Sequence, residues 1–164
     1  MVIRDIEFDD ADAFWEMQLA LDKETSYMNY EPNERVRNNN RINSLIKNAV
    51  EGKDLFLVAE NEGEIIGFIS AQRGVAKRVK HTAYIAVGIR KNFQGRGIGS
   101  ELFLKLDLWA RQNNITRLEL MVVCSNSIAI HLYEKSGFVI EGIRRNAMVV
   151  EGKYVDEYYM AKLL

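Results

Sequence analysis

The chain has 164 residues, 48% hydrophobic and 27% charged, a size and balance that fit one folded domain over residues 1–164 and exclude a disordered chain. Its 22 Lys and Arg against 23 Asp and Glu give a formal net charge of -1, without the basic excess of a protein that lives on phosphate neutralisation, so no nucleic-acid partner is expected. A lone cysteine, Cys124, excludes an intramolecular disulfide and a multi-cysteine zinc site, and no metal is expected.

The opening MVIRDIEFDDAD lacks the apolar core of a signal peptide, and no stretch approaches the ~20 apolar residues of a membrane span. A cytoplasmic chain with no membrane partner is expected. Val2 to Phe8 alternates as a half-buried strand, and Asp9 or Asp10 can cap a helix carrying Phe14, Met17 and Leu21 on one face. Lys23 to Asn33, with the only proline, reads as a long loop. A second helix is expected from about Glu34 to Val50, with Ile42, Leu45, Ile46, Ala49 and Val50 at helical spacing. Asp54 to Glu60 and Glu64 to Gln72 read as a hairpin around Asn61 to Gly63. Thr82 to Ile89 is a strand, Ile98 to Asn113 a helix, Arg117 to Val123 a strand, and Ser127 to Lys135 a short helix stopped by Gly137. A second hairpin, Phe138 to Val149 and Tyr154 to Leu163, closes the chain. The order β-α-α-β-β-β-α-β-α-β-β predicts an α/β, or α+β, mixed sheet with helices on both faces.

The run Asn92 to Gly99, NFQGRGIG, lies between a strand and a helix. Closely spaced glycines at a helix start allow a sharp turn, and the first N–H groups of the helix can then hold an anion such as a pyrophosphate. Arg90, Lys91 and Arg96 put three cations beside the turn. A P-loop would need Lys and then Ser or Thr after the last glycine, and Ser100 and Glu101 follow here. The dinucleotide pattern fails on spacing, although Glu119 lies at about the expected distance for its acidic partner of ~20 residues. A glycine-rich helix entry with no ligand is the plain alternative.

Gln94, Gly97 and Gly99 also match Q-x-x-G-x-G, and Asn126, Ala129, Tyr133, Gly137 and Phe138 match N-x-x-A-x-x-x-Y-x-x-x-G-F. Together, in this order and with one helix and one strand between them, these motifs resemble the two signatures of the GNAT superfamily of N-acetyltransferases. The closing VDEYYMAKLL resembles most the branch of ribosomal-protein N-terminal and spermidine acetyltransferases.

The resemblance implies a GNAT-like acyl-CoA N-acyltransferase fold, acetyl-CoA as cofactor, and acetyl transfer to a primary amine by direct attack. The acceptor would be a protein or peptide N-terminus, a polyamine or another small-molecule amine. It implies that the strands 82–89 and 117–123 splay into a slot for the pantetheine arm. Val87, Gly88 and Ile89 would pair with that arm and supply an oxyanion donor. The pyrophosphate would lie on Gln94, Gly95, Arg96, Gly97, Ile98, Gly99 and Ser100, and Asn126 would bind the cofactor arm. Gly88 and Asn126 have structural readings too, as close packing and as a helix N-cap. Tyr133 would protonate the leaving thiolate, and a phenol is in the right form at neutral pH.

The base is open, because relatives that acetylate ribosomal-protein termini carry a glutamate where this chain has Met121. Glu119 lies on the same strand face one step away and is a candidate; an exposed strand-end glutamate is the alternative. His81 and His131 read as surface residues, and Cys124 as a small apolar residue rather than an acyl carrier. Asp22, Glu24, Tyr27, Met28, Tyr30 and Glu31 are candidates for the acceptor site, with acids to attract a cationic amine and rings to pack its carbon chain. The alternative function is a non-catalytic acyl-CoA-binding regulator, with a dinucleotide-binding oxidoreductase a distant third. The closing hairpin, with Tyr154, Tyr158 and Tyr159, offers an edge for a homodimer.

Overall fold

A computed structural model describes residues 1–164. The elements in chain order are β1 (Val2–Asp5), α1 (Ala11–Glu24), α2 (Asn39–Val50), β2 (Leu55–Asn61), β3 (Glu64–Arg73), β4 (Thr82–Ile89), α3 (Ile98–Gln112), β5 (Arg117–Val123), α4 (Ser127–Lys135), β6 (Val139–Val150) and β7 (Lys153–Leu163). The seven strands form one sheet in the order β1-β2-β3-β4-β5-β7-β6. Only β4 and β5 run parallel, and a helix connects them, as a parallel crossover requires. The mixed α/β architecture and the element order are those expected from the sequence. No helix is long and apolar enough to cross a membrane.

Strand periodicity divides the interior into two layers. Leu55, Leu57 and Ala59 of β2 join Ile69, Leu102, Leu106 and Leu118 in a core of 21 buried residues on the face covered by α3 and α4. The intervening Phe56 and Val58 join Phe14, Met17, Leu21, Ile42 and Ile46 on the face covered by α1 and α2. There the rings of Phe56 and Phe68 meet Phe14 edge-on, at 5.0 and 5.2 Å.

Two boundaries differ from expectation. The first strand ends at Asp5, not Phe8, because the Asp10 carboxylate takes the Glu7 N–H at 2.8 Å and both Arg4 Nη atoms, closing a tight turn over Phe8–Asp10. The second helix begins at Asn39, not Glu34. Arg35 forms a bidentate pair with Asp22 at 2.7 and 2.9 Å, and Arg37 pairs with Asp12, so residues 34–38 are drawn across α1 as a strap. Val36 in that strap is 84% exposed, and the Asn38 side chain caps α2 through the Arg41 N–H.

The pairing that matters most for function is incomplete. β4 and β5 pair only at Thr82–Arg117, Ala83–Leu118 and Tyr84–Glu119. Beyond that, β4 continues against β3 as far as Ile89, and β5 continues against β7 as far as Val123. Each strand is held by its outer neighbour while the facing edges separate.

Candidate acetyl-transfer site

The separation opens a cleft of about 1250 Å³, lined by Ile85–Ile89 of β4, Leu120–Val123 of β5, the loop before α3, the first turns of α4, and the segment after α1. The Arg90 N–H donates to Ile66 O at 2.8 Å, fixing which β4 residues bond to β3. By antiparallel alternation Gly88 also faces β3, whereas Val87 and Ile89 turn their backbone groups toward the gap. Ile89 O accepts from Gln94 Nε2 at 3.0 Å, which ties the glycine-rich loop to the strand. The N–H and C=O of Val87 and the N–H of Ile89 therefore form an open strand edge inside the cleft.

Gly88 has a packing cause. A Cβ there would come within 2.7 Å of Leu21 Cδ1 and 2.9 Å of Phe68 Cε1, so any larger residue would push these side chains of α1 and β3 aside. Gly95 and Gly97 have another cause. Their φ angles are +74° and +84°, and a Cβ on either would meet nothing within 4 Å. The positions demand left-handed backbone and border open space. Gly97 occupies the N-cap of α3, no side chain caps that helix, and its first bond runs from the Glu101 N–H to Gly97 O. The N–H groups of Ile98, Gly99 and Ser100 are consequently left without helical acceptors. By contrast, Asn38 and Asn126 cap α2 and α4. An uncapped helix start behind two positive-φ glycines fits a diphosphate.

On the far side of the gap, α4 carries Tyr133. Its ring packs against Phe103 and Phe138, with centroids at 5.6 and 6.3 Å. Its hydroxyl is not a donor in any side-chain hydrogen bond, although the side chain lines the cleft. Burial, with the Tyr84 phenol nearby, pushes the Tyr133 pKa well above the ordinary tyrosine value, so the phenol keeps its proton. Asn126 also lines the cleft; its Oδ1 caps α4 through the Ala129 N–H at 3.3 Å, leaving the amide donors free.

The family model described as "Acetyltransferase (GNAT) family" matches residues 14–138. The chain belongs to the GNAT acetyltransferase family. The L-amino acid N-acetyltransferase AaaT of Escherichia coli (strain K12) is 33% identical over 65% of this chain and 67% of that protein. A GNAT-family acetyltransferase from Streptococcus pneumoniae superposes with a TM-score of 0.92 at 30% identity, covering 99% of this chain and 98% of that one. The yncA protein of Salmonella typhimurium, solved with its cofactor acetyl-CoA, has a TM-score of 0.86 at 21% identity, covering 100% and 94%.

Several polar residues of this GNAT chain stand elsewhere than the sequence led us to expect. Arg96 stacks over Phe93 at 5.1 Å, donates to Asn92 O, and does not line the cleft. Arg90 pairs with Glu24 at 2.7 Å and Glu64 at 2.8 Å. Of the three expected cations, Lys91 alone lines the cleft without an acidic partner.

Glu119 sits beside Arg117 at 2.9 Å and lines an adjoining cavity of about 400 Å³ with Glu141; that cavity shares Tyr84, Leu120, Met121 and Arg144 with the cleft, but Glu119 itself is not in the cleft wall. It is held there by Arg117, two residues earlier on β5, whose guanidinium also binds Glu141. The acceptor-side acids are also committed. Asp22 is 3% exposed and holds Arg35, and Glu24 Oε2 accepts the Lys91 N–H at 2.8 Å as its Oε1 holds Arg90. Glu31 is exposed and lies outside the cleft lining.

Tyr27 and Tyr30 do line the cleft. The Tyr27 hydroxyl donates to Ser125 O at 3.3 Å, and Tyr30 lies under the Arg35 guanidinium at 4.4 Å. His131 lines the cleft from the exposed side of α4, whereas His81 is exposed at the far end of β4. Cys124 is outside the lining, and burial with the Asp156 charge raises its pKa, so it is held as the thiol.

Sequence reasoning overlooked Tyr84, Arg144 and Glu157, all of which line the cleft. Arg144 and Glu157 meet only through the pairing of β6 with β7, and nothing local in the sequence marks either.

Proposed function

We propose that this GNAT chain is an acetyl-CoA-dependent N-acetyltransferase that acetylates a primary amine by direct attack within a ternary complex. The observation that carries the reading is the continuity of one cleft, from the uncapped start of α3, along the open edge of Val87 and Ile89, to the protonated phenol of Tyr133. Acetyl-CoA supplies the acetyl thioester. The N–H groups of Ile98, Gly99 and Ser100, with Lys91, suit its diphosphate. The backbone of Val87 matches the amides of a pantetheine arm as an added strand would. The Val87 and Ile89 N–H groups are the available donors for charge developing on the carbonyl oxygen. Tyr133 donates its proton to the departing sulfur. A covalent relay through Cys124 finds no support, because its thiol is held protonated outside the cleft.

The acceptor end favours an amine that carries a carboxylate over a polyamine. The acids of the 21–33 segment are either bound to arginines or outside the cleft, whereas Arg41 lines it with no ion pair to any acid. The relative named as an L-amino acid N-acetyltransferase supports this choice. Thiol release from acetyl-CoA across a panel of L-amino acids, spermidine and an alanyl peptide tests it. A carboxylate-bearing amine should give the highest kcat/KM. Saturating acetyl-CoA should also raise Tm by roughly 5–11 °C at a hundredfold excess over Kd. No release with any acceptor refutes catalysis, and spermidine as the best substrate refutes the acceptor class.

A further inference from the structure

An alkylammonium must lose a proton before it can attack, and the strand position that holds a glutamate in the relatives resembled here is Met121. The acidic side chains that line the cleft are Glu24 and Glu157. Glu24 has both oxygens occupied, by Arg90 and by the Lys91 N–H. Glu157 is 7% exposed, and it holds a single contact, Arg144 Nη1 to Oε2 at 3.3 Å. Its Oε1 has no protein partner and is not fully enclosed by the protein. A buried carboxylate with an open oxygen on a cleft is unusual unless something else is to bind there.

Its position fits that purpose. Glu157 of β7 pairs in register with Val123, and Tyr159 with Met121, so Glu157 shares the sheet face of Met121 one strand further along. This is the face of α1 and α2, whereas Tyr133 comes from α4 on the opposite face. The gap between β4 and β5 joins the two, with Tyr84 lining it. The ionisable groups facing Glu157 are Arg144 from β6, Tyr84 from β4, and Cys124 just past β5.

We infer that Glu157 is the general base, receiving the acceptor ammonium on its open carboxylate oxygen and taking its proton, so that the work of the missing β5 glutamate is done from β7. This inference rests on the N-acetyltransferase reading above. The proton moves from nitrogen to Glu157 and on to solvent, and the freed lone pair attacks the acetyl carbon. The C–N bond forms, the C–S bond breaks, and Tyr133 protonates the sulfur. The second proton that nitrogen gives up restores the Tyr133 hydroxyl. Acid and base thus approach the reacting carbon from opposite faces of the sheet.

The test compares wild type with Glu157→Gln, which keeps the shape and the Arg144 contact, by thiol release between about pH 6 and 10 with the best acceptor of the panel. At neutral pH kcat/KM should fall by about 10²–10⁴-fold, and the deficit should shrink as rising pH deprotonates the amine unaided. The thermal shift given by acetyl-CoA should be unchanged. Glu157→Asp should regain part of the rate, and it carries the test if the Gln variant does not fold. A Gln variant within about threefold of wild type at neutral pH, or a deficit independent of pH, overturns the assignment while leaving the acetyltransferase reading intact. Absence of wild-type turnover with every acceptor overturns both.

Discussion

Replacing Tyr133 by Phe separates chemistry from packing, because the ring is packed among aromatic neighbours while the hydroxyl is the acid of the proposed reaction. The ring makes tilted contacts with Phe103 and Phe138, and Phe keeps them. The hydroxyl has no hydrogen-bond partner in the protein, so its removal leaves none orphaned. Stability should change by no more than about 0.5 kcal/mol, or roughly 2 °C in Tm for a chain of this length. Loss of a positioned acid should lower kcat by about 10²–10⁴-fold, equivalent to roughly 3–5 kcal/mol in the barrier. Because burial raises the Tyr133 pKa, the acid stays protonated across the neutral and mildly alkaline range, and wild-type kcat should show no loss there from its ionisation. Thiol-release kinetics, with the melting shift given by acetyl-CoA as the binding control, decide the matter. A kcat within about threefold of wild type refutes the acid role, and so does a rate loss matched by an equal loss of cofactor binding.

Three further changes probe other parts of the structure. Gly97→Ala forces an L side chain into φ +84° at the uncapped start of α3 and should cost about 1–2 kcal/mol, while weakening acetyl-CoA binding in a thermal-shift titration. Asp22→Asn leaves the Arg35 guanidinium without its buried counter-charge; it should destabilise by about 3–5 kcal/mol in urea unfolding and should not alter the kinetics of Tyr133→Phe relative to its parent. The Asp10 carboxyl is held below its ordinary value of 3.8, first by the Arg4 side-chain hydrogen bonds. A lowered folded-state pKa means stability that is fully present above the ordinary value and is lost as pH falls from there through the folded value. Arg4→Gln should therefore be less stable than wild type at neutral pH, with the difference narrowing below about pH 3.8 in acid melts.

The parts legible in the sequence are those written over short spans. The turn glycines, the Asn126 cap and the alternation of β2 each depend on neighbours within a few residues, so the local pattern reports them directly. Charge pairing was not legible in this way. Arg35 and Asp22 are 13 residues apart, Arg90 and Glu24 are 66 apart, and each pair exists only after the helices and strands have packed. Such pairing also explains the misplaced start of α2, where Arg35 and Arg37 are bound to Asp22 and Asp12 of α1 and residues 35–38 stay outside the helix. Glu157 was hidden for a related reason. A glutamate in an alternating terminal strand looks solvent-facing until β5 and β6 flank β7 and make it an interior position.

The near-equality of 22 cations and 23 acids conceals an uneven division within the fold. Asp22 and Glu24, which the sequence offered as attractors for a cationic substrate, instead fasten Arg35 and Arg90, the latter just past the end of β4, to α1. Those attachments hold the loop walls of the cleft, and they also neutralise the two arginines. Lys91 remains at the diphosphate end and Arg41 at the acceptor end, and neither side chain has an acidic partner. Between them the open edge of β4 carries no charge, and the carboxylate of Glu157 stands across the gap. A zwitterionic amine fits that order, its ammonium toward Glu157 and its carboxylate toward an arginine; a polycation would meet Arg41 with no free acid beside it to compensate.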